Sequence, residues 1–151
     1  NGHFKIKSMN KIPKPILLYL LALEMLPLLD MLNATNSIKK AVRTIENFAA
    51  NSFKEIEKHP KLAPVVNDEM VQQFSQLIDE FNTNKELLLF CISDLFDTLL
   101  KDMNASNSIT KATFSVRGFA AKRYGFGYSL FTESAKFSQL IDNIEIQELK
   151  K

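Results

Sequence analysis

The chain repeats itself, and this internal repeat limits its fold more than any other feature of the sequence. Residues 16–53 align with residues 87–124 without a gap, and 14 of the 38 aligned positions are identical. Further along, the segment at 74–79 recurs unchanged at 137–142, where the offset has fallen from 71 to 63 residues. Matches that keep the same order along both halves indicate one supersecondary unit used twice.

Each copy of the unit has the hydrophobic periodicity of three helices. Glycine and proline, which interrupt helices, are scarce, with 4 and 5 residues among 151. We therefore predict an all-α fold, in which one domain over residues 1–151 holds six helices in two pseudo-symmetric three-helix units, at about 13–82 and 84–148. The predicted helices are 15–32, 36–56 and 67–82 in the first unit, and 85–103, 107–123 and 131–148 in the second.

Local signals indicate where several of these helices begin and end. Thr35 and Ser106 precede the second helix of each copy, where a hydroxyl side chain can accept a hydrogen bond from a free first-turn N–H. Gly125 is expected to end the second helix of the second copy, and Pro27 to kink or break the first helix of the first copy. The change of offset places a proline-marked loop near 58–64. Leucines identical in both copies are predicted core residues: Leu17, Leu18, Leu28, Leu29, Leu88, Leu89, Leu99 and Leu100.

The chain lacks the side-chain constellations that enzymes and metal proteins use. Its two histidines, His3 and His59, lie in no metal-ligand spacing, and its one cysteine, Cys91, lies in an apolar run that predicts a buried thiol. Carboxylate pairs such as Asp94 and Asp97 are interpreted as solvated helix faces rather than acid–base dyads. We therefore expect a protein that is not an enzyme and that holds no cofactor and no metal.

The most apolar stretch of the chain, at 16–29, is too short to span a bilayer and contains Glu24 and Pro27. It also resembles the apolar core of a signal peptide, but its aligned counterpart lies in the middle of the chain. That counterpart favours a buried structural helix over a cleaved leader. We expect no transmembrane segment.

The second copy carries a basic stretch with interleaved aromatic residues. Ordinary packing with a solvated basic rim is the preferred interpretation; an anionic lipid or another acidic partner is one alternative, and single-stranded nucleic acid is another. The net charge of +2 argues against a dedicated nucleic-acid binder, so no nucleic-acid partner is expected.

The first helices carry more apolar surface than a one-sided helix needs, and the other unit, a second chain, a membrane surface or a ligand must cover it. We therefore favour a non-enzymatic helical protein that binds a hydrophobic ligand or lipid between its units, with an apolar or anionic lipid-like ligand. The alternative is a structural or protein-interaction protein with a solid core, and a homo-oligomer remains open. The predicted ligand-binding residues are Tyr19, Leu23, Phe90, Leu95, Phe119, Lys122, Arg123 and Phe126.

Two sequence patterns match acceptor sites for N-linked glycosylation. Asn33 is followed by Ala34 and Thr35, and Asn104 stands at the equivalent position of the second copy. Both fall between predicted helices, where sugars attach. The pair weakly favours a secreted glycoprotein, although a single duplication explains why both patterns are present.

Overall fold

The computed structural model describes residues 12–58 and 66–144, and these residues form six α-helices without a strand. The predicted all-α fold class is therefore confirmed. The predicted loop near 58–64, apart from Lys58, and the chain beyond residue 144 lie outside the described residues. The helices are α1 (Lys14–Met31), α2 (Asn36–Glu57), α3 (Asp68–Phe81), α4 (Lys85–Asp102), α5 (Asn107–Tyr124) and α6 (Tyr128–Asp142).

The helices form a bundle around one apolar core. The most extensive contacts join α1 to α2 and α4 to α5, while α2 packs on α5 and α1 packs on α4 at the centre. In the second half α6 packs against α4, whereas the contact between α3 and α1 is slight. All eight predicted core leucines are buried, none more than 7% exposed, so that prediction is confirmed.

Both of the most buried helices end in the same kind of turn. Asn33, just after α1, and Asn104, just after α4, each adopt a φ of 53°. Asparagine tolerates this left-handed conformation better than most residues, and it commonly closes a helix in the Schellman arrangement. In that arrangement the Ala34 N–H donates to the Leu29 carbonyl at 3.2 Å, and the Ala105 N–H donates to the carbonyl of residue 100 at 3.1 Å.

The helix beginnings differ in part from the sequence prediction. Thr35 and Ser106 do occupy the N-cap positions of α2 and α5, but neither side chain accepts a bond from the first-turn backbone. Instead each hydroxyl pairs with the hydroxyl two residues later, on Ser37 at 3.1 Å and on Ser108 at 3.0 Å. These neighbouring hydroxyls compete with the backbone N–H groups for the cap oxygen.

Pro27 was predicted to kink or break α1, and the helix is not broken there, because it continues through Pro27 to Met31. Pro27 is exposed, while the neighbouring Leu28 and Leu29 are buried, so the packing of the last turn outweighs the hydrogen bond that proline cannot donate. Gly125 ends α5 as predicted: it has a positive φ of 102°, and its N–H donates to the Ala121 carbonyl at 2.9 Å.

Candidate ligand-binding groove

An open groove with a volume of about 320 Å³ lies between α4, α5 and the start of α6. We call it the aromatic groove, because four of its lining residues are phenylalanines. Its volume is roughly twice that of an engineered apolar cavity that holds benzene, and it lies at the lower end of small-molecule pockets. Its lining consists of Phe90, Asp94, Phe114, Arg117, Gly118, Ala121, Phe126, Leu130 and Phe131.

Three of the four phenylalanine rings are exposed to solvent. Phe126, in the link between α5 and α6, is 79% exposed, and Phe114 and Phe131 are exposed as well. Phe90 on α4 is buried and meets Phe131 edge-on, with the ring centroids 6.3 Å apart. Aromatic rings left in water around a concave surface are typical of interaction sites.

A glycine leaves the groove open along α5. Gly118 lies inside this helix, where glycine costs about 1 kcal/mol relative to alanine. A Cβ atom added to Gly118 would meet no other atom within 4 Å. Helix stability therefore favours a larger residue here, and the glycine leaves volume that a ligand can occupy.

One wall of the groove is polar and is held by an ion pair between two helices. Arg117 Nη1 on α5 donates to Asp94 Oδ1 on α4 at 2.9 Å. Ser134 Oγ on α6 donates to the other oxygen, Asp94 Oδ2, at 2.6 Å. The Arg117 guanidinium also lies over the ring of Phe114, 4.7 Å from its centroid. Asp94 thus joins all three helices that form the groove.

Asp94 and Asp97 were predicted to lie on a solvated face, and this prediction is wrong. Asp94 is half-buried, and the Asp97 side chain is only 8% exposed. Asp97 Oδ2 lies 3.8 Å from Arg117 Nη1 and 3.4 Å from Lys101 Nζ, while its Oδ1 is buried without a hydrogen bond from any described residue. The reason is that neighbouring helices cover most of α4, so the carboxylate of Asp97 is buried and needs cationic partners.

The single cysteine lies next to this polar wall. Burial, together with the nearby charges of Glu133 and Asp94, raises the pKa of the Cys91 thiol to about 12. The thiol is therefore protonated and unreactive at neutral pH, and the prediction of a buried cysteine is confirmed.

The structure brings two of the eight predicted ligand-binding residues, Phe90 and Phe126, into the aromatic groove. Tyr19 lies on α1 and stacks on Phe53 of α2, with centroids 4.6 Å apart. Leu95 is buried in the core.

Neither Lys122 nor Arg123 lines this groove. Lys122 is exposed, and Arg123 Nη2 donates to the Leu32 carbonyl at the end of α1, at 3.0 Å. The Arg123 guanidinium also covers the half-buried ring of Phe119 at 5.4 Å. Leu23, on α1, is partly exposed. A direct role for these residues in ligand binding stays a prediction.

A second depression of about 320 Å³ lies where the two halves of the chain meet. It has a smaller apolar surface and contains no aromatic residue. Its lining consists of Leu28, Met31, Asp79, Thr83, Lys85 and Leu88. The aromatic groove is the stronger candidate, because it combines grouped rings with a fixed polar wall.

The two glycosylation patterns lie on exposed turns, since Asn33 and Asn104 are both solvent-exposed. Their modification stays a prediction. His3 and His59 lie outside the described residues. Within the described part of the chain, no group of three or more histidine, cysteine or acidic residues is placed to hold a metal ion. None of the six helices is both long and apolar enough to cross a membrane.

The predicted ligand-binding residues did not include Asp94, Phe114, Arg117 and Gly118, although Phe114 and Arg117 belong to the basic stretch with interleaved aromatic residues. The sequence alignment offers a further signal at these four positions. The aligned residues of the first copy are Leu23, Arg43, Glu46 and Asn47, which differ from them in charge or size. Comparison with protein-family models, curated proteins and solved structures gives no match to this chain.

Proposed function

We propose that the protein is a non-enzymatic binding protein that takes a small apolar or amphiphilic molecule in the aromatic groove. The observation that carries this proposal is the convergence of Phe114, Phe126 and Phe131, all exposed, on one concave surface beside the Asp94–Arg117 pair. Covering one such ring contributes roughly 1.5–3 kcal/mol, so a ligand that covers two of them gains useful affinity.

We also propose that the fold is built from two pseudo-symmetric three-helix units, and that the groove belongs to the second unit alone. Three observations support the duplication. The bounds of α1 and α4 differ by 71 residues at both ends, as the sequence alignment requires. Asn33 and Asn104 share a φ of 53°, and the hydroxyl pairs after each turn have nearly equal lengths.

The differences between the units support the placement of the groove. Where the second unit has Gly118, the first has the larger Asn47, and where it has Phe114, the first has the charged Arg43. The first unit therefore lacks both the gap and one of the rings. A duplicated scaffold in which one copy retains packing while the other acquires a binding surface accounts for this asymmetry.

Ligand extraction and dye titration test the proposed function. Native mass spectrometry of the purified protein, followed by organic extraction, is expected to reveal a small bound molecule. A fluorescent fatty acid or a naphthalene dye is expected to bind with micromolar affinity. Gly118→Leu fills the groove and should weaken dye binding by about 10-fold or more, because the inserted side chain excludes the ligand.

The matched control is Asn47→Leu, which places the same side chain at the aligned position of α2. It should leave dye binding unchanged. If both variants bind as the wild-type protein does, the ligand does not occupy the aromatic groove. If the wild-type protein binds no dye and yields no extract, the proposal fails.

Tyr128 favours a second candidate function, a protein-interaction surface. Its ring is 92% exposed and does not line the groove, although it lies between Phe126 and Phe131 in the chain. Exposed aromatic residues of this kind are enriched in protein interfaces, including those of homo-oligomers. Sedimentation of the wild-type protein and of Tyr128→Ser tests this alternative: a dimer that the substitution dissociates would support it.

A further inference from the structure

We infer that the aromatic groove prefers a ligand that carries a positively charged amine, and that its occupant is a small aromatic or alkyl amine. The inference rests on the proposed function, because it names the ligand class of the same groove. It differs from the sequence-based expectation of an anionic head group, which depended on Lys122 and Arg123.

Asp94, which lines the groove, and Asp97, which does not, share the guanidinium of Arg117. Arg117 Nη1 lies 2.9 Å from Asp94 Oδ1 and 3.8 Å from Asp97 Oδ2. One guanidinium cannot neutralise both carboxylates. The further partner of Asp97 is Lys101, whose side chain is 72% exposed.

The carboxylates of Asp97 and Glu133 are more buried than the lysines that pair with them. Glu133 pairs with Lys136 at 3.3 Å, but the Glu133 side chain is mostly buried while that of Lys136 is 62% exposed. Water and salt screen exposed charges more than buried ones. Among these pairs, the carboxylates therefore contribute more to the field beside the groove than the exposed lysines do. The pKa of the Cys91 thiol, which burial raises most, is raised further by the charges of Glu133 and Asp94.

The wall also has the geometry to hold an ammonium group. A carboxylate offers about four lone-pair sites, and the described structure uses two of those on Asp94, for Arg117 and Ser134. An N–H of a ligand can use another. The rings of Phe126 and Phe131 border the same groove, and the face of an aromatic ring attracts a cation.

The polar wall disfavours a ligand that carries a carboxylate. Arg117 already pairs with Asp94, and Arg123 donates to a backbone carbonyl away from the groove lining. An anion placed at the wall lies beside Asp94, and juxtaposed like charges are unfavourable. The groove therefore discriminates by charge as well as by apolar surface.

Three naphthalene probes that differ only in their polar group test this inference on the full chain. They are 1-naphthylmethylamine, 1-naphthalenemethanol and 1-naphthoate, each titrated by fluorescence at low salt. The amine is expected to bind about 5-fold more tightly than the alcohol, and the carboxylate more weakly than either. Equal binding of the three, or tightest binding of naphthoate, overturns the inference but leaves the proposed function intact. If no probe binds, the proposed function fails and the inference fails with it.

The variant Asp94→Asn tests whether the Asp94 carboxylate causes the preference for the amine. It should bring the affinities of the amine and the alcohol to within about 2-fold of each other, whereas Glu55→Gln, at an exposed site on α2, should retain the full preference. If Asp94→Asn does not fold, the salt dependence of probe binding to the wild-type protein tests the inference instead. Raising NaCl from about 20 to about 300 mM should weaken binding of the amine and not of the alcohol. An amine affinity that salt does not change overturns the inference.

Discussion

Arg117 on α5 and Asp94 on α4 form an ion pair of 2.9 Å that is both an interhelical contact and the polar wall of the aromatic groove. Asp97, one turn further along α4, depends on the same guanidinium. The stability of the bundle and the chemistry of the groove therefore share one residue. A change at Arg117 should be visible in both properties.

Arg117→Met should lower the free energy of unfolding by about 2–3 kcal/mol, because it leaves the buried Asp97 and the half-buried Asp94 without this partner. Urea denaturation measures the loss. Lys136→Met removes an exposed cation from its i,i+3 pair with Glu133 and should change stability by less than about 0.5 kcal/mol. Equal losses in the two variants would show that the Arg117 pair is no stronger than a surface contact.

The turns at Asn33 and Asn104 predict how substitutions at these two helix ends change stability. Asn33→Ala and Asn104→Ala should each cost about 1 kcal/mol, because alanine is strained at a φ of 53°. Asn33→Gly and Asn104→Gly should be close to neutral, because glycine adopts this conformation without strain. Thermal unfolding of the four variants tests this. Alanine and glycine variants of equal stability would contradict the turn geometry.

The partly buried carboxyl of Glu24 predicts how the stability of the protein depends on pH. Burial, only partly offset by the hydrogen bond from Ser75, raises the pKa of the Glu24 carboxyl above its ordinary value of 4.5, and the charge of Asp79 raises it further. A raised pKa means that the folded protein binds this proton more readily than the unfolded chain. The charged carboxylate therefore destabilises the fold at pH above its folded pKa, and this penalty disappears as the pH falls towards 4.5.

Glu24→Gln should accordingly raise the free energy of unfolding at pH 7 by less than about 1 kcal/mol, since the carboxyl is still partly solvated. The gain should shrink as the pH falls towards 4.5. Glu57→Gln, at an exposed site on α2, is the control and should have little effect at either pH. A Glu24→Gln variant that is less stable than the wild-type protein at pH 7 would contradict the account of Glu24.

The sequence predicts well those parts of the fold that hydrophobic spacing controls. Leu18 and Leu89, which the sequence alignment pairs, were predicted to face the core, and both are fully buried. Leu18→Ala and Leu89→Ala should each cost about 2–5 kcal/mol in urea denaturation. A loss below about 1 kcal/mol at both positions would mean that these side chains do not support the core.

Features that depend on contacts between helices could not be predicted from one helix at a time. Asp97 is buried only because its neighbours cover α4, and Arg117 faces it only because α5 packs there. Pro27 was expected to interrupt α1, but the burial of adjacent leucines outweighs its local effect. The groove was missed as a unit because its residues come from three helices, and the sequence of each helix does not show how the three are placed against one another.

The location of a bound ligand decides whether the aromatic groove is the binding site. Methyl NMR spectra of the full chain, recorded during a titration with 1-naphthylmethylamine, report on each alanine and leucine separately. The account predicts shift changes at Ala121 and Leu130, which line the aromatic groove, and none at Ala50, the residue aligned with Ala121 in the first copy. Equal changes at Ala50 and Ala121, or changes confined to Leu28 and Leu88 at the junction of the halves, would contradict it.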